Sequence, residues 1–230
     1  KEIKMEIKKS QSRLDKKNII ILLPGWDAPN YMFDRIKREI PKNYGYIHYK
    51  YSKEILNADP LLTREYFFTV INKILEDIKK LNKKKQRNYY IYSQSLGTDF
   101  AVIIADKVKI KKVVLVLPGD NLADAFWKGI KTRSLKKTMI HNGINLEKLK
   151  EEWMPISPDS FFKKKGLKSE YFVIVSKKDH IVPYKNEKKL IKILRKNNIK
   201  FESKISHLRH IPTIIMESLF PKSTLDFLLR

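Results

Sequence analysis

The stretch Asn88-Tyr-Tyr-Ile-Tyr-Ser-Gln-Ser-Leu-Gly-Thr-Asp-Phe-Ala-Val-Ile-Ile-Ala105 decides the fold. Its first half is a short apolar and aromatic run, the pattern of a buried strand. Its second half is rich in helix formers and apolar at every turn, the pattern of a buried helix. Between them stands Ser93-Gln94-Ser95-Leu96-Gly97, one residue away from the Gly-x-Ser-x-Gly elbow. Such an elbow needs small residues on both sides of its central serine. The serine backbone is strained there, and strand and helix pack closely around it. Ser93 and Gly97 meet that need, and the turn then lifts the Ser95 hydroxyl above the end of its strand.

Working outward, other strand-like runs alternate with helical stripes. Asn18 to Leu23 is a continuous apolar run ending at Pro24-Gly25-Trp26-Asp27. A helix from about Tyr31 follows, with Asn30 as its expected N-cap. Gly45 to Tyr51 reads as a strand. Pro60 opens a long helix on which Phe67, Val70, Ile71, Ile74, Leu75 and Ile78 form one stripe. Asn82 to Arg87 reads as a basic loop. Lys112 to Leu117, Tyr171 to Ser176 and Phe201 to Ile205 complete the strands, and Glu2 to Ile7 is expected to form an edge strand. A helix carrying Leu190, Ile193 and Leu194 precedes the last strand, and a terminal helical region is broken by Pro221. Alternation of this kind predicts an α/β fold with a doubly wound, mainly parallel sheet. The segment from about 121 to 162 breaks the rhythm and is too long for a plain loop. It is expected to be a small helical cap inserted into a single domain spanning 1–230.

The composition narrows the function classes. With no cysteine, the chain has no disulfides, thiol nucleophiles or thiolate metal sites. No apolar run approaches the roughly 20 residues that cross a bilayer. No secretory leader is visible, although the chain begins with Lys1 rather than Met, and the expected location is cytoplasmic. The net charge of +24 suits a binder of nucleic acid or anionic lipid. The excess is mostly lysine, however, and its short runs, Lys79-Lys80, Lys83-Lys84-Lys85 and Lys163-Lys164-Lys165, fall where helix ends and loops are expected. Arginine is the residue suited to bidentate phosphate and base contacts. A solvated lysine surface is therefore the reading adopted, with no specific nucleic-acid partner. Oligomeric state has no signature in the sequence.

Three chemically capable groups follow strands: Ser95, Asp179 and a histidine at 207 or 210. In a doubly wound sheet the carboxyl ends of the strands share one edge, where sites form. A serine nucleophile needs a base, and the base needs an acid to fix its tautomer. His207 directly follows the last strand. His210 is the preferred base, because the extra loop residues let its ring reach back to Ser95. Asp120 also follows a strand, but Asp120-Asn121 before a helical stretch reads as a cap. His48, His141 and His180 read as a strand residue, a residue of the inserted segment and a turn residue. Phe126, Trp127, Trp153 and Met154 fit either a pocket wall or the small core of the insertion.

The order Ser, Asp, His, with Pro24-Gly25-Trp26, Ser93-Gln94-Ser95-Leu96-Gly97-Thr98, Ser176-Lys177-Lys178-Asp179-His180-Ile181-Val182-Pro183 and the final histidine pair, resembles the α/β-hydrolase superfamily. The resemblance runs from about Asn18 to Leu229. It implies hydrolysis or transfer of a small acyl substrate through an acyl-enzyme, with no metal and no organic cofactor. It implies Ser95 as nucleophile, His210 as base and Asp179 as its acid. The backbone N–H groups of Leu96 and Trp26 would form the oxyanion hole. The chain departs from the usual pattern at Ser93, Pro24 and Arg209, where relatives often carry Gly or His. Those departures motivate the other reading, a hydrolase-fold protein that binds a ligand or partner without turnover.

Overall fold

A computed structural model describes residues 6–163 and 168–230. Seven strands form one sheet: β1 (Ile7–Ser12), β2 (Asn18–Leu23), β3 (Tyr44–Tyr51), β4 (Asn88–Gln94), β5 (Ile110–Val116), β6 (Glu170–Ser176) and β7 (Phe201–Ser206). Their spatial order is β1-β3-β2-β4-β5-β6-β7. Only the β1–β3 pair is antiparallel, and every other pair is parallel. The fold class is therefore α/β with a doubly wound, mainly parallel sheet.

The apolar runs explain the order. A strand covered by helices on both faces must be apolar at every position, and Ile19 to Leu23 of β2 are all fully buried. Ile19, Ile21 and Leu23 face one core layer, Ile20 and Leu22 the other. The first layer is covered by α2 (Pro60–Lys84), α3 (Gly97–Lys107) and α8 (Tyr184–Lys196). The second is covered by α1 (Asp34–Glu39), α9 (His210–Leu219) and α10 (Lys222–Leu229). Among the described residues between β5 and β6 lie four further helices: α4 (Leu122–Lys128), α5 (Arg133–His141), α6 (Leu146–Trp153) and α7 (Pro158–Phe162). They are anchored on the first layer. The Trp153 indole donates to the Pro60 carbonyl at 3.0 Å, and Arg64 pairs with Glu152 at 2.8 Å.

Several boundaries differ from the sequence reading, each for a physical reason. The edge strand is Ile7–Ser12, not Glu2 to Ile7, because backbone pairing with β3 from Ile7↔Tyr51 to Ser12↔Tyr46 needs no apolar side chains. Residues 2–5 lie outside the described residues. The first helical turn begins at Asn30 as a 3-10 turn capped by the extended residue Pro29, and α1 proper starts at Asp34. The expected loop at Asn82 to Arg87 is helical as far as Lys84. Arg87 there is not a solvated charge. Its buried guanidinium donates to the carbonyls of Leu14, Leu81 and Lys85, closing the C-terminal end of α2. Lys79 and Lys80 sit within α2 rather than at its end. Of the third lysine run, Lys164 and Lys165 lie outside the described residues. Among the described residues no helix is long and apolar enough to cross a membrane.

Candidate active site

Left-handed backbone marks the ends of three neighbouring strands. Asp27 (φ 54°) follows β2, Ser95 (φ 47°) follows β4 and Leu117 (φ 57°) follows β5. Non-glycine residues hold this conformation only where their surroundings fix it. At Ser95 the fixing is visible. Its N–H donates to the Val116 carbonyl at 2.8 Å, and its own carbonyl accepts from Thr98 N–H and from Thr98 Oγ1, at 2.8 and 2.6 Å. Ser93, where a glycine is usual, is fully buried, and its hydroxyl donates to the Val114 carbonyl at 2.6 Å. A small side chain with a private hydrogen-bond partner thus replaces the missing glycine. Gly97 has no such latitude: a Cβ there would lie 2.3 Å from the Leu23 carbonyl oxygen and 2.6 Å from that of Pro24. At Gly25 a Cβ would come within 3.2 Å of the Ser95 Cβ.

Three side chains from different strand ends meet at this elbow. Ser95 Oγ lies 3.0 Å from His210 Nε2, and His210 Nδ1 lies 2.6 Å from Asp179 Oδ2. The Asp179 carboxyl is fully buried and the imidazole nearly so. The second carboxyl oxygen, Oδ1, accepts from the N–H groups of Ile181 and Val182 at 2.8 and 2.9 Å. The loop after β6 therefore folds around its own acid and aims the other oxygen at the histidine. His210 opens α9, while His207 is exposed in the preceding loop. The connection is held by Ser176 Oγ, which donates to the Leu208 carbonyl. Chemically, this is a hydroxyl in contact with a base whose far nitrogen is held by a carboxyl. That arrangement can deprotonate the hydroxyl as it attacks.

Leu96 caps α3, and its backbone N–H has no protein acceptor among the described residues; the same holds for Trp26. The Trp26 indole is fixed by a 2.7 Å bond to the Lys53 carbonyl. Both residues line a cavity of about 250 Å³ that also contains Ser95 and His210. Its walls are apolar, with Leu56, Leu122, Phe126, Val182 and Ile214 among them. Of the aromatic residues of the inserted segment, Phe126 lines the cavity. Trp153 packs edge-on behind it, with ring centres 5.0 Å apart, and Met154 is exposed. His141 is exposed and His180 stands in a turn. Asp120 is buried and paired with Lys189 at 2.7 Å, away from the histidine, while Asn121 supplies the cap of α4.

The sequence reading passed over two buried acids. Asp99 lines the cavity, and burial pushes its carboxyl well above the usual carboxylate range. Glu187 lies behind the acid loop. It accepts from the Ser176 N–H at 2.8 Å, and burial, with the nearby Asp179 charge, pushes it up to about 9. The available signal for Asp99 is a charge in the first turn of an otherwise apolar helical stretch, Phe100 to Ala105, immediately after the serine turn.

No protein-family model and no curated protein matches the sequence. Solved structures do resemble the fold. An alpha/beta hydrolase enzyme from a Medee basin deep-sea metagenome library is 15% identical, with a TM-score of 0.61 over 98% of this chain and 92% of its own. The capsule O-acetyltransferase of Neisseria meningitidis serogroup A is 18% identical, with a TM-score of 0.66 over 97% and 91%. The acylaminoacyl peptidase of Pyrococcus horikoshii is 15% identical, with a TM-score of 0.72 over all of this chain, which spans 40% of the peptidase. At these identities the likeness concerns architecture: the chain has the α/β-hydrolase fold.

Proposed function

We propose that this α/β-hydrolase-fold chain is a serine hydrolase that cleaves a small ester or thioester through an acyl-enzyme. The observation that carries the reading is the chain of contacts Ser95 Oγ–His210 Nε2 and His210 Nδ1–Asp179 Oδ2, at 3.0 and 2.6 Å, on the floor of an apolar cavity. Ser95 attacks the substrate carbonyl carbon while His210 Nε2 takes its proton. Asp179 keeps the imidazole in the required tautomer and stabilises the imidazolium. The carbonyl oxygen becomes an oxyanion, held by the N–H groups of Leu96 and Trp26. The bond to the leaving group breaks as His210 hands it the proton, leaving Ser95 acylated. Water then attacks the acyl-enzyme, His210 takes its proton, and the proton returns to Ser95 as the acid departs.

The apolar walls suit the acyl group, and a volume of about 250 Å³ suits a short one, since pockets for drug-sized ligands start near 300 Å³. In this reading α4 to α7 act as a cap over the site, with Phe126 as the wall it contributes. Steady-state turnover of short-chain p-nitrophenyl esters tests the reading. Wild type is expected to hydrolyse them with a burst of p-nitrophenol, and Ser95→Ala to lose on the order of ten-thousandfold or more in kcat. Undiminished turnover in Ser95→Ala would refute the assignment.

A further inference from the structure

The acyl cavity is apolar on nearly every side, yet one of its walls is an acid. Asp99 stands in the first turn of α3 and is 4% exposed. Among the described residues its carboxyl has no side-chain partner, and its only hydrogen bond is to its own backbone N–H. The buried Tyr51 hydroxyl feels the Asp99 charge, but its proton is already committed to the Pro24 carbonyl. Leaving a polar group unpaired in an apolar setting is unfavourable. A carboxyl kept in a ligand cavity at that cost, where a leucine would simply extend the wall, is a built recognition group.

Resting on the hydrolase reading, we propose that Asp99 is a specificity-determining residue that donates a hydrogen bond to an oxygen carried on the substrate's acyl chain. The preferred substrates are thus oxo-, hydroxy- or ether-bearing acyl esters rather than plain alkyl esters. Two observations favour an accepting oxygen over a cationic amine. Burial raises the carboxyl well above the usual carboxylate range and so favours its proton-bearing form, which is a donor. The chain carries a net charge of +24, and at the cavity Lys131 offsets Asp27, so the surroundings add nothing that would attract a cation. A site built to bond a substrate oxygen discriminates strongly against the analogue that lacks it.

The test compares kcat/KM for p-nitrophenyl esters in pairs of equal chain length: an oxo- or methoxy-substituted acyl group against its alkyl counterpart, with an ω-amino ester as a third arm. Wild type is expected to prefer at least one oxygen-bearing member by about tenfold. That ratio is expected to fall to about one in Asp99→Leu and to survive largely in Asp99→Asn, whose amide still donates. No preference in wild type overturns the inference without recourse to any variant. A preference that persists in Asp99→Leu, or a preference for the amino ester, overturns it as well. Fluorophosphonate labelling of the same wild-type preparation separates the two failures. Absence of labelling defeats the hydrolase reading and this inference with it, whereas labelling without a preference defeats this inference alone.

Discussion

At the scale of single residues, the site depends on which histidine the chain delivers to Ser95. His207 and His210 are three residues apart, and sequence alone favours the second only through loop length. The geometry divides them clearly, because His210 contacts both Ser95 and Asp179 while His207 is exposed. We expect His210→Ala to lower kcat on short esters by a factor on the order of that for Ser95→Ala, because the two groups act as a unit. His207→Ala is expected to stay within about twofold of wild type. A rate collapse in His207→Ala would show that the base had been misassigned. Asp99 was not legible in the same way. A charged residue inside an apolar helix stretch is visible in the sequence, but that its carboxyl lines a cavity follows only from how α3 packs, with Phe100 against Tyr51 and Asp99 left at the cavity wall.

Among elements, the junction of β2, β4 and α3 sets the position of Ser95. Gly97 lets α3 press directly on the backbone of the β2 end, where a Cβ would sit 2.3 Å from the Leu23 carbonyl oxygen. Backbone cannot swing aside as a side chain can, so Gly97→Ala must push the start of α3, and the adjoining Ser95 with it, away from the end of β2. The expected cost is about 1–3 kcal/mol of stability, with loss of most esterase activity; a urea midpoint and an ester assay check the two. A variant with wild-type midpoint and activity would contradict this account of the elbow. The elements themselves were largely legible, because runs such as Ile19 to Leu23 permit only a strand covered on both faces. What was not legible was set by backbone pairing or by capping. The polar strand β1 is held by its ladder with β3, and α2 extends to Lys84 because Arg87 folds back to take its terminal carbonyls.

For the molecule as a whole, two buried titratable groups pull stability in opposite directions with pH. His48 in β3 is stacked on Phe33 at 4.6 Å, and burial, followed by the charge of Lys37, lowers its pKa to about 4. Between about 6.5 and 4 the unfolded chain binds a proton that the folded chain refuses. Stability is therefore lost as pH falls through that window, by at most about 3 kcal/mol. Glu187 does the reverse. Its folded pKa of about 9 exceeds the unfolded value of 4.5, so the unfolded chain releases a proton that the folded chain keeps, and stability falls as pH rises through that range. Glu187→Gln retains an acceptor for the Ser176 N–H and removes the titration. Its melting temperature is expected to exceed that of wild type at pH 8 and to converge with it near pH 4; a lower value at pH 8 would show that the carboxyl is ionised and paired. The proposed function stands or falls on Ser95 being an activated nucleophile. The most direct measurement is intact-protein mass spectrometry after exposure to a fluorophosphonate, with peptide mapping of the adduct. The account predicts a single phosphonyl adduct on Ser95 in wild type and none in Ser95→Ala. A folded wild-type protein that acquires no adduct, or acquires it equally in Ser95→Ala, would contradict it.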